Sequence, residues 1–253
     1  MIVLNEHEWA RDMILARDLG KKPFETLSRV ARYYIDNEYP KKKVRTLLDA
    51  FLIQCDPTAS IPKWSLTLDR ALERASKNQA VMIDHIEISE PEMRIIDALQ
   101  GRQLKRLACT LLCLAKYWDT VNHTSGHWVN TKDSDIMRMA NINTSIKRQS
   151  QMYHTLNELG MVRFSRKVDN TNVQVTFIQK GIPAMLVSDF RNIGYQYLMH
   201  HGESYFICKN CGIVTKYRNP SRGKKQVYCN ECAAEVAMQQ RVNSVMRKRA
   251  AVQ

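Results

Sequence analysis

Apolar residues recur at helical spacing along most of the chain, and glycine, proline or asparagine residues interrupt the pattern. Within the first third, this periodicity predicts four helices, at residues 6–19, 24–37, 42–54 and 62–77. Residues 80–88 are typical of a strand, and the sequence Ser-Glu-Pro-Glu that follows predicts a capping box opening another helix. We therefore expect residues 1–100 to form a helical domain that serves assembly or partner binding.

The middle of the chain has the strongest amphipathic helix, followed by shorter elements. Residues 102–118 predict this helix, with inward-facing Leu104, Leu107, Leu111, Leu114 and Ala115. A short strand at 128–130 and a short helix at 132–140 come next. After a turn at 141–143, a further helix capped by Thr144 or Ser145 is expected to end at Gly160.

The helix that ends at Gly160 has two distinct faces. We expect Ile146, Tyr153, Leu156 and Leu159 to be buried and the face that starts with Lys147, Arg148, Gln151 and His154 to be exposed. Two β-branched, aromatic runs at 161–168 and 173–178 then predict a hairpin. Residues 181–204 are interpreted as a connector that includes a packed helix.

The composition is that of a globular protein rich in helix. The chain has 44% apolar and 25% charged residues, with 9 glycines and 7 prolines, which argues against disordered, collagen-like or fibrous classes. Uncharged apolar runs of membrane-spanning length are absent, and charged residues such as Glu6, Glu8 and Arg11 interrupt the first thirty positions. The expected fold class is mainly α with small β elements, and the expected location is the cytoplasm.

Positive charge is concentrated towards the C-terminus. The formal net charge is +13, but residues 1–100 hold 15 basic and 16 acidic side chains. Residues 205–253 hold 10 basic and 2 acidic side chains. A neutral region followed by a cationic one favours a polyanionic partner, with nucleic acid preferred over an acidic protein or a membrane surface.

The seven cysteines divide into two groups. Cys208, Cys211, Cys229 and Cys232 form two Cys-x-x-Cys pairs separated by 17 residues, and the other three lie in apolar runs. Four soft ligands in two close pairs suit one tetrahedral zinc ion. We expect a knuckle at the first pair, a hairpin through 213–227 and a helix carrying the second pair. This order resembles a treble-clef zinc finger, with a zinc ribbon as the alternative.

The predicted order of elements over 101–180 resembles the winged helix-turn-helix fold, most closely in the sequence Leu-Asn-Glu-Leu-Gly-Met-Val-Arg-Phe that begins at residue 156. The resemblance implies that the third helix enters the major groove of DNA while the wing contacts phosphates. Candidate groove contacts are then Lys147, Arg148 and Gln151, and candidate wing contacts are Arg163, Arg166 and Lys167. In the finger and the helix after it, the candidate contacts are Arg218, Arg222, Lys224, Lys225, Arg247, Lys248 and Arg249.

The whole arrangement resembles small DNA-binding proteins of bacteriophages and mobile elements of Gram-positive bacteria. The resemblance implies a nucleoid-associated, non-enzymatic protein that acts in transcription control or replication initiation, with double-stranded DNA as its partner and a homodimer as one option for its assembly. The alternatives are an adaptor or inhibitor that binds a host polymerase, helicase or defence protein, and an RNA-binding protein. No membrane partner is expected.

One motif argues for an enzyme. Asp84, His85 and Ile86 resemble the metal-binding strand of HNH nucleases, which often accompanies treble-clef fingers. In those enzymes the strand lies within or beside the finger, whereas here Cys208 follows much later in the chain. The sequence also lacks a phosphate-binding P-loop and a His-Glu-x-x-His motif, so we predict no catalytic residues.

Overall fold

The computed structural model describes residues 2–165, 172–218 and 226–250, with side chains as far as Arg247. Within these ranges the chain is mainly helical and has three small antiparallel sheets. The helices are α1 (Glu6–Ala16), α2 (Pro23–Asp36), α3 (Lys41–Cys55), α4 (Ile61–Lys77), α5 (Glu90–Ala98), α6 (Arg102–Asn122), α7 (Asp133–Met139), α8 (Ile146–Glu158), α9 (Ile193–His200) and α10 (Asn230–Ala250). The strands are β1 (Ile86–Ser89), β2 (Trp128–Val129), β3 (Val162–Phe164), β4 (Val173–Val175), β5 (Pro183–Val187), β6 (Tyr205–Ile207) and β7 (Val214–Lys216).

The chain divides into two compact units, Met1–Asp84 and His85–Gln253. The first unit contains α1 to α4, which pack around a core that includes Leu27, Leu48 and Leu68. Each of the four helices predicted there is present, although α1 ends early because Arg17 adopts a left-handed backbone with φ of 53°.

Ion pairs within the first unit neutralise several of its cations. The buried Glu6 carboxylate accepts hydrogen bonds from both Arg29 and Arg32. The distance from Arg29 Nε to Glu6 Oε1 is 2.9 Å. Arg45 pairs with Asp69 at 2.8 Å. Such pairing removes free positive charge from the surface of this unit, in agreement with its neutral composition.

The second unit is built around α6. Its apolar residues at helical spacing are buried as predicted, and so are the thiols of Cys109 and Cys113. β1 and β5 pair antiparallel beside this helix, with Ile88 opposite Met185. Residues 85–100, which the sequence pattern placed with the N-terminal helices, therefore belong to the second unit, and the predicted connector 181–204 supplies a strand as well as a helix.

The capping box before α5 is present and buried. The Ser89 hydroxyl accepts from the Glu92 N–H, and the Glu92 carboxylate accepts from the Ser89 N–H at 2.8 Å. That fully buried carboxylate also accepts from Lys116 Nζ at 2.6 Å and from the Gln179 N–H at 3.0 Å. One predicted helix cap thus also joins α5 to α6 and to the segment before β5.

β2 precedes α7, whereas β3 and β4 follow α8, and the three strands form a sheet in the order β2-β4-β3. Ser145 caps α8, since its hydroxyl accepts from the Arg148 N–H. Tyr153 and Leu156 are buried on α8 as predicted, but Ile146 is 81% and Leu159 58% exposed. Ile146 is the first residue of α8 and Leu159 is its C-cap, so both lie at the ends of the helix, and their predicted burial is wrong.

A close backbone contact joins α9 to the turn between α7 and α8. A Cβ atom on Gly194 would lie 2.0 Å from the carbonyl oxygen of Ala140, so only glycine allows this approach. Asn141, with φ of 54°, donates from Nδ2 to Asn192 Oδ1 at 2.8 Å and accepts from the Tyr195 N–H at 2.9 Å. The turn is held against the N-terminus of α9 at three points.

Substitution of Gly194 tests this contact. We expect Gly194→Ala to lower the free energy of unfolding of the second unit by roughly 3 kcal/mol, because the new methyl group would clash with main-chain atoms that cannot rotate away. The measurement is denaturant unfolding followed by circular dichroism. Gly202→Ala is the matched control: at Gly202, with φ of 77°, a Cβ meets nothing within 4 Å. It should cost only the backbone strain of about 1 kcal/mol, and equal losses in the two variants would contradict the contact.

Candidate metal centre and basic surface

The four cysteines predicted as ligands converge at one point in the second unit. Cys208 follows β6, Cys211 precedes β7, and Cys229 and Cys232 lie at the start of α10. The four Sγ atoms all lie within 4.8 Å of one another, and three of the four residues are buried. Such a group can hold a metal ion.

The spacing of the sulfur atoms fits tetrahedral coordination. With metal–sulfur bonds of about 2.3 Å, the edge of a tetrahedron measures about 3.8 Å. Cys211 Sγ and Cys229 Sγ are 3.8 Å apart. Four thiolates are soft donors of the kind that bind zinc or iron–sulfur clusters and that suit magnesium or calcium poorly.

Nearby N–H groups support the thiolate form of these cysteines. The Cys229 N–H donates to Cys208 Sγ at 3.2 Å, and Asn210 Nδ2 donates to Cys232 Sγ at 3.4 Å. Burial of Cys208 opposes its ionisation, but hydrogen bonds from the backbone of Cys211, Cys229 and Asn210 outweigh it and lower the pKa of this thiol to about 6. The Cys208 thiol therefore favours its thiolate form. Burial raises the pKa of the Cys211 thiol, and, despite the hydrogen bond from Asn210, burial and hydrogen bonds with the other cysteines raise the pKa of the Cys232 thiol to about 12.

The backbone around the first pair forms a tight knuckle. The Gly212 N–H donates to the Cys208 carbonyl at 2.9 Å, and Gly212 has the positive φ of 72° that this turn needs. β6 pairs with β7 across the knuckle, with Ile207 opposite Val214. The observed hairpin thus begins before the first cysteine pair. The predicted hairpin at 213–227 includes residues 219–225, which lie outside the described residues. The strand at 205–207 was not predicted.

Two side chains tie the knuckle to the loop before α9. Arg191 Nη2 donates to the Cys211 carbonyl at 2.6 Å, and Asn192 Nδ2 donates to the Val214 carbonyl at 2.8 Å. Asn192 also accepts from Asn141, as described above. These contacts link segments far apart in the chain, so no local pattern in the sequence could have identified Arg191 or Asn192.

Histidines near the cysteines in the sequence lie outside the cluster. His201 pairs with Asp97 at 3.1 Å, and the His200 ring packs against the His201 ring. His85, part of the nuclease-like motif, contacts Glu87 at 3.4 Å. In the part of the chain that the structure describes, the four cysteines are the only group of three or more histidine, cysteine or acidic residues close enough to share a metal ion.

The predicted groove contacts share one exposed surface. Lys147, Arg148 and Gln151 are exposed on α8, and Arg163 is exposed on β3. β3 lies beside this helix, since Asn157 Nδ2 donates to the Val162 carbonyl at 2.8 Å. We call the exposed face of α8 together with Arg163 the basic surface.

Other candidate contacts are only partly described. Arg218 and Arg247 are exposed. Residues Arg166, Lys167, Arg222, Lys224 and Lys225 lie outside the described residues, and so do the side chains of Lys248 and Arg249. The structure brings Lys147, Arg148 and Gln151 together on α8.

Acidic side chains that the structure describes do not neutralise the cations of the basic surface. Lys147, Arg148 and Arg163 form no ion pair with any residue that the structure describes. Arg148 instead lies 3.4 Å from the neutral Gln151 Oε1. Positive charge here is directed at solvent and available to an anion, whereas in the first unit part of it is neutralised internally.

Comparison with protein-family models, with curated proteins and with solved structures finds no match to this chain. Among the described residues, none of the helices combines the length and the apolarity that crossing a bilayer requires. The site must therefore be interpreted from its own geometry.

Metal content tests the cysteine centre. We expect one metal ion per chain in the purified protein and its loss from Cys208→Ser and Cys232→Ser, because each variant removes one of four thiolates. Elemental mass spectrometry gives the stoichiometry. Cys55→Ser is the matched control, since Cys55 lies in the first unit and outside the cluster. A full equivalent of metal in both ligand variants would contradict the four-cysteine assignment.

Proposed function

We propose that the second unit is a duplex-DNA-binding module in which a winged helix and a zinc finger act together. The observation that carries the proposal is the basic surface, where Lys147, Arg148 and Arg163 are exposed and form no ion pair within the described residues. Unpaired cations on a helix and an adjacent strand suit the phosphates and base edges of DNA.

The elements around α8 have the order that a winged helix requires. α6, β2, α7, α8 and the strands β3 and β4 follow one another, and β4 lies between β2 and β3. α8 is then the recognition helix, and β3 and β4 are the strands of the wing. The centroids of the His154 and Phe164 rings are 5.5 Å apart, which supports the packing of β3 against this helix.

The cysteine centre is proposed to bind one structural zinc ion. Four thiolates around a tetrahedral site complete the shell and leave no open position for a substrate, which is typical of structural zinc. A knuckle within a hairpin and a second pair at a helix start favour the treble-clef type over a ribbon. Zinc would fix α10 to the knuckle, and no catalytic role follows from it.

α10 extends the basic character of the finger. Arg241 and Arg247 are exposed along it, and acidic residues occur only near its start. We propose that this helix contacts phosphates beside the site read by α8. The first unit would serve assembly or recruit another protein, in transcription control or replication initiation of a phage or mobile element.

One observation favours a second candidate function, a protein-binding adaptor. Met238, Val242, Val245 and Met246 are exposed apolar residues on α10. Spacings of three and four residues place Met238, Val242 and Val245 along one side of the helix. A protein partner could cover this side. A stoichiometric protein recovered after nuclease treatment, together with absent DNA binding, would support the adaptor over the DNA-binding module.

Salt dependence tests the proposed DNA binding. With roughly 6–10 phosphate contacts, affinity for duplex DNA should fall about 10³- to 10⁵-fold between 50 and 200 mM salt, because binding releases condensed counterions. Fluorescence anisotropy with a labelled duplex measures the slope, and single-stranded RNA of equal charge serves as competitor. A slope near zero would contradict the proposal. Stronger competition by the RNA would show that the protein binds RNA in preference to duplex DNA.

Substitution of two α8 cations tests the recognition helix. We expect Lys147→Ala with Arg148→Ala to reduce affinity for a selected DNA sequence about tenfold or more and to reduce binding to random DNA less, because base contacts specify sequence. The control is Lys63→Ala with Arg70→Ala, which removes equal charge from exposed positions of the first unit. Equal losses for selected and random DNA would show that α8 does not read sequence.

A further inference from the structure

Ile146 is unusually exposed for a large apolar side chain. Its exposed fraction of 81% is the highest among the large apolar residues that the structure describes. Exposure of an isoleucine at this level carries no benefit for folding, since the side chain gains nothing from burial. A contact made on binding would give it a role.

The position of Ile146 is the first residue of α8. Ser145 caps the helix through its hydroxyl, so the backbone at this end is fixed. A β-branched side chain in a helix is also largely restricted to one χ1 rotamer. Ile146 is therefore presented at a defined place and would lose little conformational entropy on contact.

The surroundings of Ile146 are unlike a protein-docking patch. Lys147 and Arg148 follow it directly and are exposed. The other exposed large apolar residue at an end of this helix is Leu159, just beyond its last residue, about 20 Å away at 1.5 Å per residue. A protein interface needs contiguous apolar area with charge kept to its rim, which α8 lacks.

The major groove of DNA offers a matching partner. Base edges there present hydrogen-bond donors and acceptors, and the one apolar group is the C5-methyl of thymine. Residues at the N-terminus of a recognition helix are those that reach base edges. A single apolar side chain among cationic and amide groups suits this mixture of contacts.

We propose that Ile146 is a specificity-determining residue that contacts the C5-methyl group of a thymine in the target duplex. The inference rests on the proposed DNA binding by α8 and adds the identity of one base that it reads. Lys147, Arg148 and Gln151 would hydrogen-bond to neighbouring bases or phosphates.

The experiment removes the methyl group from the DNA and the side chain from the protein. The full-length protein first selects its preferred duplex from a random pool. Each thymine of that duplex is then replaced in turn by deoxyuridine, which pairs identically but lacks the methyl group. We expect one position at which replacement weakens binding about fourfold, the effect of one methyl-sized group. In Ile146→Ala the same replacement should have no effect.

Two controls keep the result interpretable. Leu15→Ala removes another highly exposed apolar side chain, at 75% exposure in the first unit, and should keep the full deoxyuridine effect. Circular dichroism should show that Ile146→Ala unfolds like the unmodified protein, because the side chain is exposed.

The outcomes separate this inference from the proposed function. If a duplex is selected but no replacement weakens binding, or if the weakening persists in Ile146→Ala, the assignment of Ile146 is overturned while DNA binding stands. If no duplex is selected at all, the proposed DNA binding fails and this inference fails with it.

Discussion

The arrangement of the second unit depends on the contact between the α7–α8 turn and the start of α9. Gly194 lets the α9 backbone reach the Ala140 carbonyl, and Asn141 and Asn192 hydrogen-bond to each other across the contact. Because Asn192 also holds the Val214 carbonyl, the same residue positions the knuckle of the metal centre. The segment before α8 and the cysteine cluster are therefore connected through Asn192, although their residues lie far apart in the sequence. Preorganisation of this kind would serve the proposed DNA-binding role of α8.

Features governed by local chemistry could be predicted from the sequence. The four helices of the first unit and the long α6 follow from apolar periodicity, which reflects burial on one side of a helix. The Ser89 capping box and the Ser145 cap follow from side chains that reach backbone N–H groups within the same turn. The cysteine cluster follows from spacing, because two residues between paired cysteines allow one ion to contact both.

Features governed by distant parts of the chain could not be predicted. The pairing of β1 with β5 joins Ile88 to Met185, and no local pattern encodes that partner. Because of this pairing, residues 85–100 belong to the second unit and not to the predicted N-terminal domain. Periodicity also failed at the ends of α8, where Ile146 and Leu159 occupy apolar positions of the pattern but are exposed. A periodic pattern indicates which side of a helix faces the core and gives no information on how far the core reaches.

Ion pairing within both units explains why net charge alone is a weak guide to the basic surface of α8 and Arg163. In the first unit, Glu6 and Asp69 bind arginines, so basic residues there contribute to packing. In the second unit, Arg102 pairs with Glu203 and Arg191 with Asp189, so these two arginines are also occupied. Lys147, Arg148 and Arg163, on α8 and β3, are among the cations that form no ion pair within the described residues. A folded protein gains little from such unpaired surface cations, since they repel one another and bury no apolar area. Their concentration beside an exposed isoleucine is understandable when the surface meets a partner that supplies both anionic charge and an apolar group, and duplex DNA supplies both.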